Sequence, residues 1–298
     1  MKICIIQFSP SGSVNRVSQE IQKGFEQKGH KVQQLDITWD NDFFSHKVHT
    51  DFLNARVEKH DILLIGAPVY AHHTQYHVLD LIQSLPKPDS KWAAIAVPFV
   101  TYGGISSGVA LSESAKLLNK TGRTVPLAMK LTAPHRMTRA FMPDEYNADK
   151  LQGEEQVYVD ELVNRIDKLQ MQSKVKNIRS VLKYNGLKMT ILAKTVFVEK
   201  KWHEQRYPKV EIDSELCGTC GKCVRLCPVN HLVKLNDRIS QNTASPCIHC
   251  LNCVTNCPSN AIKLTGDLEK GKAFMSKMIA QKGNTEVPAS AVYPLLNN

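Results

Sequence analysis

The sequence has 298 residues, a formal net charge of +10 at neutral pH and 42% apolar residues. This length accommodates two domains, and this apolar fraction is ordinary for a globular chain, which excludes a disordered or fibrous protein. No apolar run approaches the roughly eighteen residues that cross a bilayer, so we expect no membrane span.

The chain opens with a short apolar run, ICIIQF, that predicts a buried strand. The turn SPSGSVN follows, and then apolar residues recur at helical spacing until Gly29. A strand, a Ser/Gly turn and a helix form a phosphate-binding arrangement, because the turn presents N–H groups and hydroxyls at the positive end of the helix. Simple capping of the helix is the alternative interpretation.

Further apolar segments predict a sheet with helices between its strands. We expect strands at 31–37, 61–66, 92–98 and 124–131, and helices near 52–59, 74–85, 106–120 and 154–169. Strands that alternate with helices predict a parallel sheet covered on both faces. Ligands of such folds bind at the carboxyl ends of the strands, where the segments 67–70 and 101–104 lie.

Polar side chains follow two of these strands. His72 and His73 follow the third strand, and His135 and Arg136 follow the fifth. We predict that some of them bind an anionic or carbonyl substrate, or supply a proton to it. The alternative is that these residues belong to polar surface loops and have no catalytic role.

Eight of the nine cysteines lie in two runs, CGTCGKCVRLCP from Cys217 and CIHCLNCVTNCP from Cys247. Each cysteine recurs thirty positions later (217 and 247, 227 and 257), so the segment is an internal duplication. This spacing is that of bacterial proteins with two [4Fe–4S] clusters, in which the fourth cysteine of each run ligates the other cluster. The predicted sets are Cys217, Cys220, Cys223 and Cys257 for cluster one, and Cys247, Cys250, Cys253 and Cys227 for cluster two.

Two other uses of these cysteines are considered. Zinc also binds paired cysteines, but a zinc site needs neither the third C-x2-C step nor the duplication. A disulfide framework is typical of secreted chains, whereas this sequence opens with Met1, Lys2 and a strand-like run. We therefore expect a cytoplasmic protein, with Cys4 as a small buried core residue.

Three motifs together resemble a known family. The turn Ser9-Pro10-Ser11-Gly12-Ser13 is similar to the flavodoxin phosphate loop, S/T-x-T-G-x-T, with Val14 in place of the last Thr. The turns at 66–70 and 102–104 fall where flavodoxins grip the isoalloxazine ring. Joined to the duplicated cysteine run, the chain resembles the flavodoxin–ferredoxin fusion proteins of anaerobic microbes over nearly all of residues 1–265.

The resemblance implies a fold, cofactors and site residues. It implies an α/β, doubly wound, five-stranded parallel sheet in the order 2-1-3-4-5, a small α+β ferredoxin-like domain, and FMN beside two [4Fe–4S] clusters. The implied phosphate contacts are Ser9, Ser11, Gly12, Ser13 and Asn15, where Asn15 substitutes for the hydroxyl missing at Val14. The implied ring contacts are Pro68, Val69, Tyr70, Thr101, Tyr102, Gly103 and Gly104.

Four segments follow from these assignments. We predict a flavodoxin-like FMN domain over 1–172, a basic helical connector over 173–207, the dicluster domain over 208–265 and a tail over 266–298. The tail contains a helix near 268–281 and an irregular end that covers the flavin, contacts another subunit or lacks order.

Joining one-electron clusters to a flavin predicts a converter between one- and two-electron chemistry. The predicted protein takes electrons from a low-potential donor such as a ferredoxin and reduces a small molecule at the flavin, so it is a flavin-dependent oxidoreductase. The alternatives are a pure carrier for a partner redox protein and a cluster-based redox sensor. The expected partners include no nucleic acid, and a homodimer is left open. No GxGxxG fingerprint indicates a dedicated NAD(P) domain.

Overall fold

The computed structural model describes residues 1–45, 48–169 and 175–295 of the chain. Strands and helices alternate in the first half. The strands are β1 (Lys2–Gln7), β2 (Lys31–Asp36), β3 (Ile62–Tyr70), β4 (His73–Thr74), β5 (Ala96–Tyr102) and β6 (Ala128–Thr132). The helices are α1 (Ser13–Gln27), α2 (Asn41–Ser45), α3 (Thr50–Arg56), α4 (Tyr76–Gln83), α5 (Ala110–Lys120) and α6 (Gln156–Leu169).

Five of these strands form one parallel sheet in the order β2-β1-β3-β5-β6. Counting these five strands along the chain, this is the order 2-1-3-4-5, so the predicted doubly wound sheet is confirmed. The two-residue strand β4 turns back antiparallel on the end of β3. Two apolar cores lie on opposite faces of the sheet, because helices cover both. The carboxyl ends of β1, β3, β5 and β6 therefore meet at one edge.

Some element bounds differ from the expected ones for local reasons. The fifth parallel strand begins at Ala128 rather than at 124, because Pro126 has no N–H to pair in a ladder. Helix α5 begins at Ala110 rather than at 106, since Gly108 has a left-handed φ of 58° that ends regular structure before it. Strand β3 runs on to Tyr70 and so carries the predicted ring-contact residues itself.

The connector contains two helices, α7 (Gly186–Thr195) and α8 (Glu199–Gln205). It is fastened to the first domain. The amide of Ile178 donates to the carbonyl of Val125 (2.9 Å), and the hydroxyls of Tyr184 and Ser107 share a hydrogen bond (2.7 Å). The predicted boundary between residues 172 and 173 lies outside the described residues.

The cysteine-rich domain is built from two copies of one small unit. In chain order it contains β7 (Lys209–Ile212), α9 (Lys222–Arg225), β8 (Leu232–Leu235), β9 (Arg238–Gln241), α10 (Asn252–Thr255) and β10 (Ile262–Thr265). Strand β10 pairs antiparallel with β7, and β8 with β9. The apolar residues Val210, Leu232, Ile239 and Ile262 form its core, against which six of the cysteines pack.

The tail returns to the first domain. Helix α11 (Leu268–Lys282) is followed by β11 (Ala291–Tyr293), which pairs antiparallel with β6 at the edge of the parallel sheet. The buried amine of Lys130 and the hydroxyl of Ser107 both bond the carboxylate of Glu286. The predicted irregular arm is therefore a fastened strap that adds a strand to the predicted five. No helix in the described ranges is long and apolar enough to cross a membrane.

Candidate functional site

The turn after β1 carries the predicted phosphate loop. Gly12 has a left-handed φ of 87° at the start of α1, and no side chain caps this helix. The hydroxyl of Ser9 accepts from the amide of Asn15 (2.8 Å), whose side chain accepts from Gln7 (2.6 Å). Ser9 and Asn15 therefore brace the loop from within, while Ser11 and Ser13 face the cavity at the sheet edge. A helix N-terminus without a side-chain cap, with two serine hydroxyls beside it, is suited to binding an anion.

The carboxyl end of β3 and the turn after it form a second wall of this cavity. Pro68, Val69 and Tyr70 line it, and the chain then passes through left-handed φ angles at Ala71 (46°) and His72 (70°). Left-handed backbone at non-glycine residues costs free energy and concentrates at functional sites.

The carboxyl end of β5 and the residue after it form a third wall, lined by Thr101, Tyr102 and Gly103. A Cβ atom on Gly103 would lie 2.2 Å from the ring of His135. Only glycine therefore lets the end of β5 approach the loop after β6 so closely. Gly104 lies outside the wall and is held from behind, because its carbonyl accepts from the amide of Asn284 in the tail (2.7 Å).

The fourth wall comes from parts of the chain without a recognised motif. The connector contributes Phe197, Trp202 and Tyr207, and α11 contributes Phe274, Met275 and Met278. The ring centroids of Phe197 and His72 lie 4.2 Å apart, and those of Trp202 and Phe274 lie 6.0 Å apart. Aromatic and thioether side chains therefore cover part of the cavity.

Cys250 and His249 complete the same cavity. Cys250 is also buried in the core of the first domain, together with Ile248 and Val229. The side chain of Asn252 donates to the carbonyl of Pro10 beside the phosphate loop (2.7 Å). The second cysteine run thus lies directly on the predicted flavin site.

Four cysteines line a smaller cavity of their own behind Cys250. They are the predicted cluster-two ligands Cys227, Cys247, Cys250 and Cys253. Backbone amides donate to two of their sulfurs, His231 to Cys227 (3.2 Å) and His249 to Cys247 (3.3 Å). Burial raises the pKa of the Cys247 thiol to about 11 and that of Cys253 to about 12, so iron must displace their protons on binding.

The remaining set gathers on the other side of the small domain. Cys223 lies close enough to Cys217 and Cys257 for their charges to act on its thiol, and Cys220 is exposed. All nine cysteines are free of disulfides. Nowhere in the described ranges do three His, Cys, Asp or Glu side chains converge on a single ion. Four cysteines around one cavity, and three further cysteines near one another, would fit cubes, because each cube binds its four thiolates through four different iron atoms.

The backbone repeats with the sequence. Left-handed residues recur thirty positions apart at Thr219 and His249, at Gly221 and Leu251, and at Asn230 and Asn260. Alternating backbone handedness turns successive N–H groups toward one side, which makes an anion-binding concavity. Both loops therefore have the alternating backbone that such a concavity requires.

The polar residues predicted as catalytic do not all lie at the same place in the structure. His72, His135 and Arg136 line the large cavity. Burial lowers the pKa of both His72 and His135 to about 4, so both rings are neutral at neutral pH. Arg136 lies 3.5 Å from a carboxylate oxygen of Glu145.

His73 points elsewhere and fastens the connector. Its Nδ1 lies 2.8 Å from Glu113, and its Nε2 lies 3.0 Å from the carbonyl of Ala193 in α7. Both partners accept hydrogen bonds, so both ring nitrogens carry protons. Burial opposes this charge, but the hydrogen bond and the charge of Glu113 raise the pKa of His73 overall.

A buried polar chain lies behind the fourth wall. The ring of His203 stacks on that of His249, with their Nδ1 atoms 2.9 Å apart, and Nε2 of His203 lies 3.3 Å from Glu199. Burial raises the pKa of Glu199 well above its ordinary value. The connector and the second cysteine run are joined by these groups.

Sequence reasoning missed the whole fourth wall. Its aromatic residues are scattered over the connector and the tail without a spacing that a motif could reveal. The available signal was weak, namely two large aromatic residues, Phe197 and Trp202, in an otherwise basic linker.

Comparisons with known proteins agree with this division. Residues 209–258 match the family of 4Fe–4S dicluster domains. No curated protein has a matching sequence. Among solved structures, the chain is similar to a flavodoxin from the domain Archaea (18% identity, 56% of this chain and 99% of that chain, TM-score 0.37).

Two further solved structures have similar values. They are rubredoxin:oxygen oxidoreductase from the anaerobe Desulfovibrio gigas (17% identity, 58% and 37% of the two chains, TM-score 0.39) and oxidised flavodoxin 1 from Bacillus cereus (15% identity, 58% and 100%, TM-score 0.39). These scores are low, so the fold assignment rests on the strand order. The chain joins a flavodoxin-like fold to a 4Fe–4S dicluster domain, as its sequence predicts.

Proposed function

We propose that this chain is an iron–sulfur flavoprotein that takes electrons from a low-potential donor through two [4Fe–4S] clusters to FMN, and reduces a small molecule at the flavin. One observation carries the proposal. The predicted flavin loops and the cluster-two residue Cys250 line a single cavity. A flavin bound there would accept electrons singly and deliver two.

The residues of the cavity suit this cofactor. Ser11, Ser13 and the uncapped start of α1 would hold the phosphate. The strand-end loops around Tyr70 and Gly103 would flank the ring. Gly103 keeps the cavity open at that point, since any side chain there would meet His135.

The cavity's own polar groups define what they contribute to a substrate. Neutral His72 and His135 accept or donate hydrogen bonds without adding charge, while Arg136 offers a cation to an anionic or carbonyl oxygen. We propose these three, rather than His73, as the groups that contact substrate, because both nitrogens of His73 are engaged elsewhere.

The roof of the cavity favours a small-molecule acceptor over a partner protein. Phe197, Trp202, Phe274 and Met275 narrow the opening through which a docking protein would reach a flavin bound there. A pure carrier would present the edge of its flavin at the surface, so the carrier alternative has less support.

An anaerobic reductive titration of the reconstituted holoprotein tests the proposal. Two one-electron clusters and one two-electron flavin should take up about four electrons per chain. The reduced protein should then be reoxidised faster by a small quinone than by an oxidised flavodoxin. Uptake of about two electrons without a flavin band would contradict FMN binding, and faster reoxidation by the flavodoxin would favour the carrier.

A paired variant isolates the phosphate loop. Replacing Ser11 and Ser13 by Ala should weaken FMN binding by about tenfold for each hydroxyl hydrogen bond lost. The matched control is Ser276→Ala, an exposed serine on α11 that lies outside the cavity. Equal FMN affinity in all three proteins would exclude this loop as the phosphate site.

A further inference from the structure

The connector carries four exposed aliphatic side chains. Val181, Leu187, Ile191 and Val196 have 44%, 76%, 52% and 54% of their surface exposed. They account for four of the twelve large apolar side chains that stand exposed in the described residues, yet they fall within sixteen positions. Scattered exposed apolar residues need no explanation, but a contiguous group marks an interaction surface.

The connector as a whole is also strongly basic. Residues 175–206 hold eight Lys or Arg residues and only two acidic residues, one of which, Glu199, is buried. On α7, Leu187, Ile191 and Lys194 are spaced i, i+4, i+7 and so share one side of the helix, with Lys188 beside them. We call the four aliphatic residues together with Lys183, Lys188 and Lys194 the connector patch.

The opposite side of α7 is anchored, which holds the connector patch outward. Ala193 is fully buried, and its carbonyl lies 3.0 Å from Nε2 of His73. Before the helix, Tyr184 stacks on Tyr293 with centroids 5.0 Å apart. The exposure of Leu187 and Ile191 is thus a property of the packed fold, not of a loose segment.

We propose that the connector patch binds the surface of a membrane that carries anionic lipid headgroups. Lysines are attracted to such a surface, and short aliphatic side chains between them enter the boundary between headgroups and acyl chains. The cores of protein–protein interfaces are instead depleted in lysine and enriched in aromatic residues. The connector patch has lysines and aliphatics, while the aromatic Phe197 turns into the flavin cavity, so lipid is the better occupant.

Binding would place the candidate flavin site beside the bilayer. Phe197 follows Val196 of the connector patch directly and lines the large cavity. The inference does not depend on the proposed function, because the lipid contact requires only the connector.

Co-sedimentation of the holoprotein with vesicles tests this inference. One vesicle is pure phosphatidylcholine and the other contains about one third phosphatidylglycerol, whose headgroup is anionic. We expect binding to the anionic vesicles, and we expect it to weaken as salt is raised because salt screens the lysines.

Two variants locate the contact. The pair Lys188→Gln and Lys194→Gln should weaken binding about fivefold for each lysine, or about twenty-five-fold together. The pair Leu187→Ser and Ile191→Ser should weaken it at least tenfold through lost apolar burial. The matched controls are Lys116→Gln on α5 and Leu235→Ser on β8, which are also exposed but lie outside the connector.

The outcomes separate cleanly. Binding to anionic vesicles that both connector variants lose and both controls keep would support the inference. Absence of vesicle binding, equal binding to both vesicle types, or equal loss in the controls would overturn it. So would binding to an acidic ferredoxin in place of the vesicles, which would make the connector patch a protein interface. Cluster absorbance of each variant verifies that it has folded.

Discussion

The two cysteine loops have the same backbone and different surroundings. The first, around Cys220, faces solvent, whereas the second, around Cys250, is buried against the first domain and opens on the candidate flavin cavity. A duplicated motif has thus acquired two roles through docking alone. The exposed loop suits the arrival of electrons from outside, and the buried loop suits their transfer to a flavin.

The largest expected effect concerns the exchanged fourth cysteines. Cys227→Ala should remove the buried cluster and Cys257→Ala the exposed one, because each of these thiols lies with the opposite loop. Each variant should retain about four of about eight iron atoms. A chelator should strip the remaining iron slowly from Cys257→Ala and quickly from Cys227→Ala. The reverse order of rates would show that each run binds its own cluster, and Cys4→Ala should keep all its iron.

The ion pair that fastens the strap to the first domain can also be broken. Glu286→Gln leaves the buried amine of Lys130 without its carboxylate and should cost about 3 kcal/mol of unfolding free energy. Denaturant unfolding measures this cost, and iron loss from the buried cluster should accelerate if α11 detaches. The control is Glu269→Gln, which changes an exposed acidic residue on α11. An unchanged unfolding midpoint would mean that the ion pair does not hold the strap.

Acid should destabilise the first domain through its buried histidines. Burial lowers the pKa of His72 and His135 to about 4 and that of His77 to about 3. Between about pH 6.5 and 4 these histidines bind more protons in the unfolded chain than in the folded chain. The free energy of unfolding therefore falls as pH falls. Each histidine should contribute up to about 1.4 kcal/mol per pH unit in this window. His77→Gln should reduce the pH slope of unfolding and leave stability at pH 8 less affected; an unaltered slope would contradict this account.

The smallest expected effect tests whether the left-handed backbone conformation that the two cysteine loops share matters for stability. Gly221 has a left-handed φ of 72° at the position of Leu251 in the second loop, with φ 64°. Gly221→Ala should destabilise the first loop by about 1 kcal/mol, because a Cβ is strained there even though its nearest neighbour would lie at 3.5 Å. Gly218→Ala is the control, since that glycine has neither a left-handed φ nor a close neighbour. Equal effects of the two substitutions on the denaturation midpoint would mean that handedness is unimportant in this loop.

Much of the fold could be predicted from short-range patterns. The alternation of apolar runs with helical spacing gave the doubly wound sheet, and Pro126 and Gly108 shifted its element bounds only locally. The tail was harder, because Ala291–Tyr293 becomes a strand only through pairing with β6. Three residues carry too little signal to predict an edge strand that a distant partner creates.

The candidate site shows the same limit. Neighbouring histidines looked equivalent in the sequence, yet His72 enters the cavity and His73 fastens α7, because the left-handed turn at Ala71 and His72 sends them apart. Ser9 and Asn15 were likewise predicted to contact phosphate, and the hydroxyl of Ser9 instead accepts from the amide of Asn15 within the loop.

By itself, the sequence determined the cysteine spacing, its duplication and the alternation of strands with helices, because all three are written in residues close along the chain. Only the tertiary structure decided that Cys250 rather than Cys220 faces the cavity, and that Trp202 and Phe274 roof it. Those choices depend on how segments more than a hundred residues apart pack together, and such contacts leave no periodic trace in the chain.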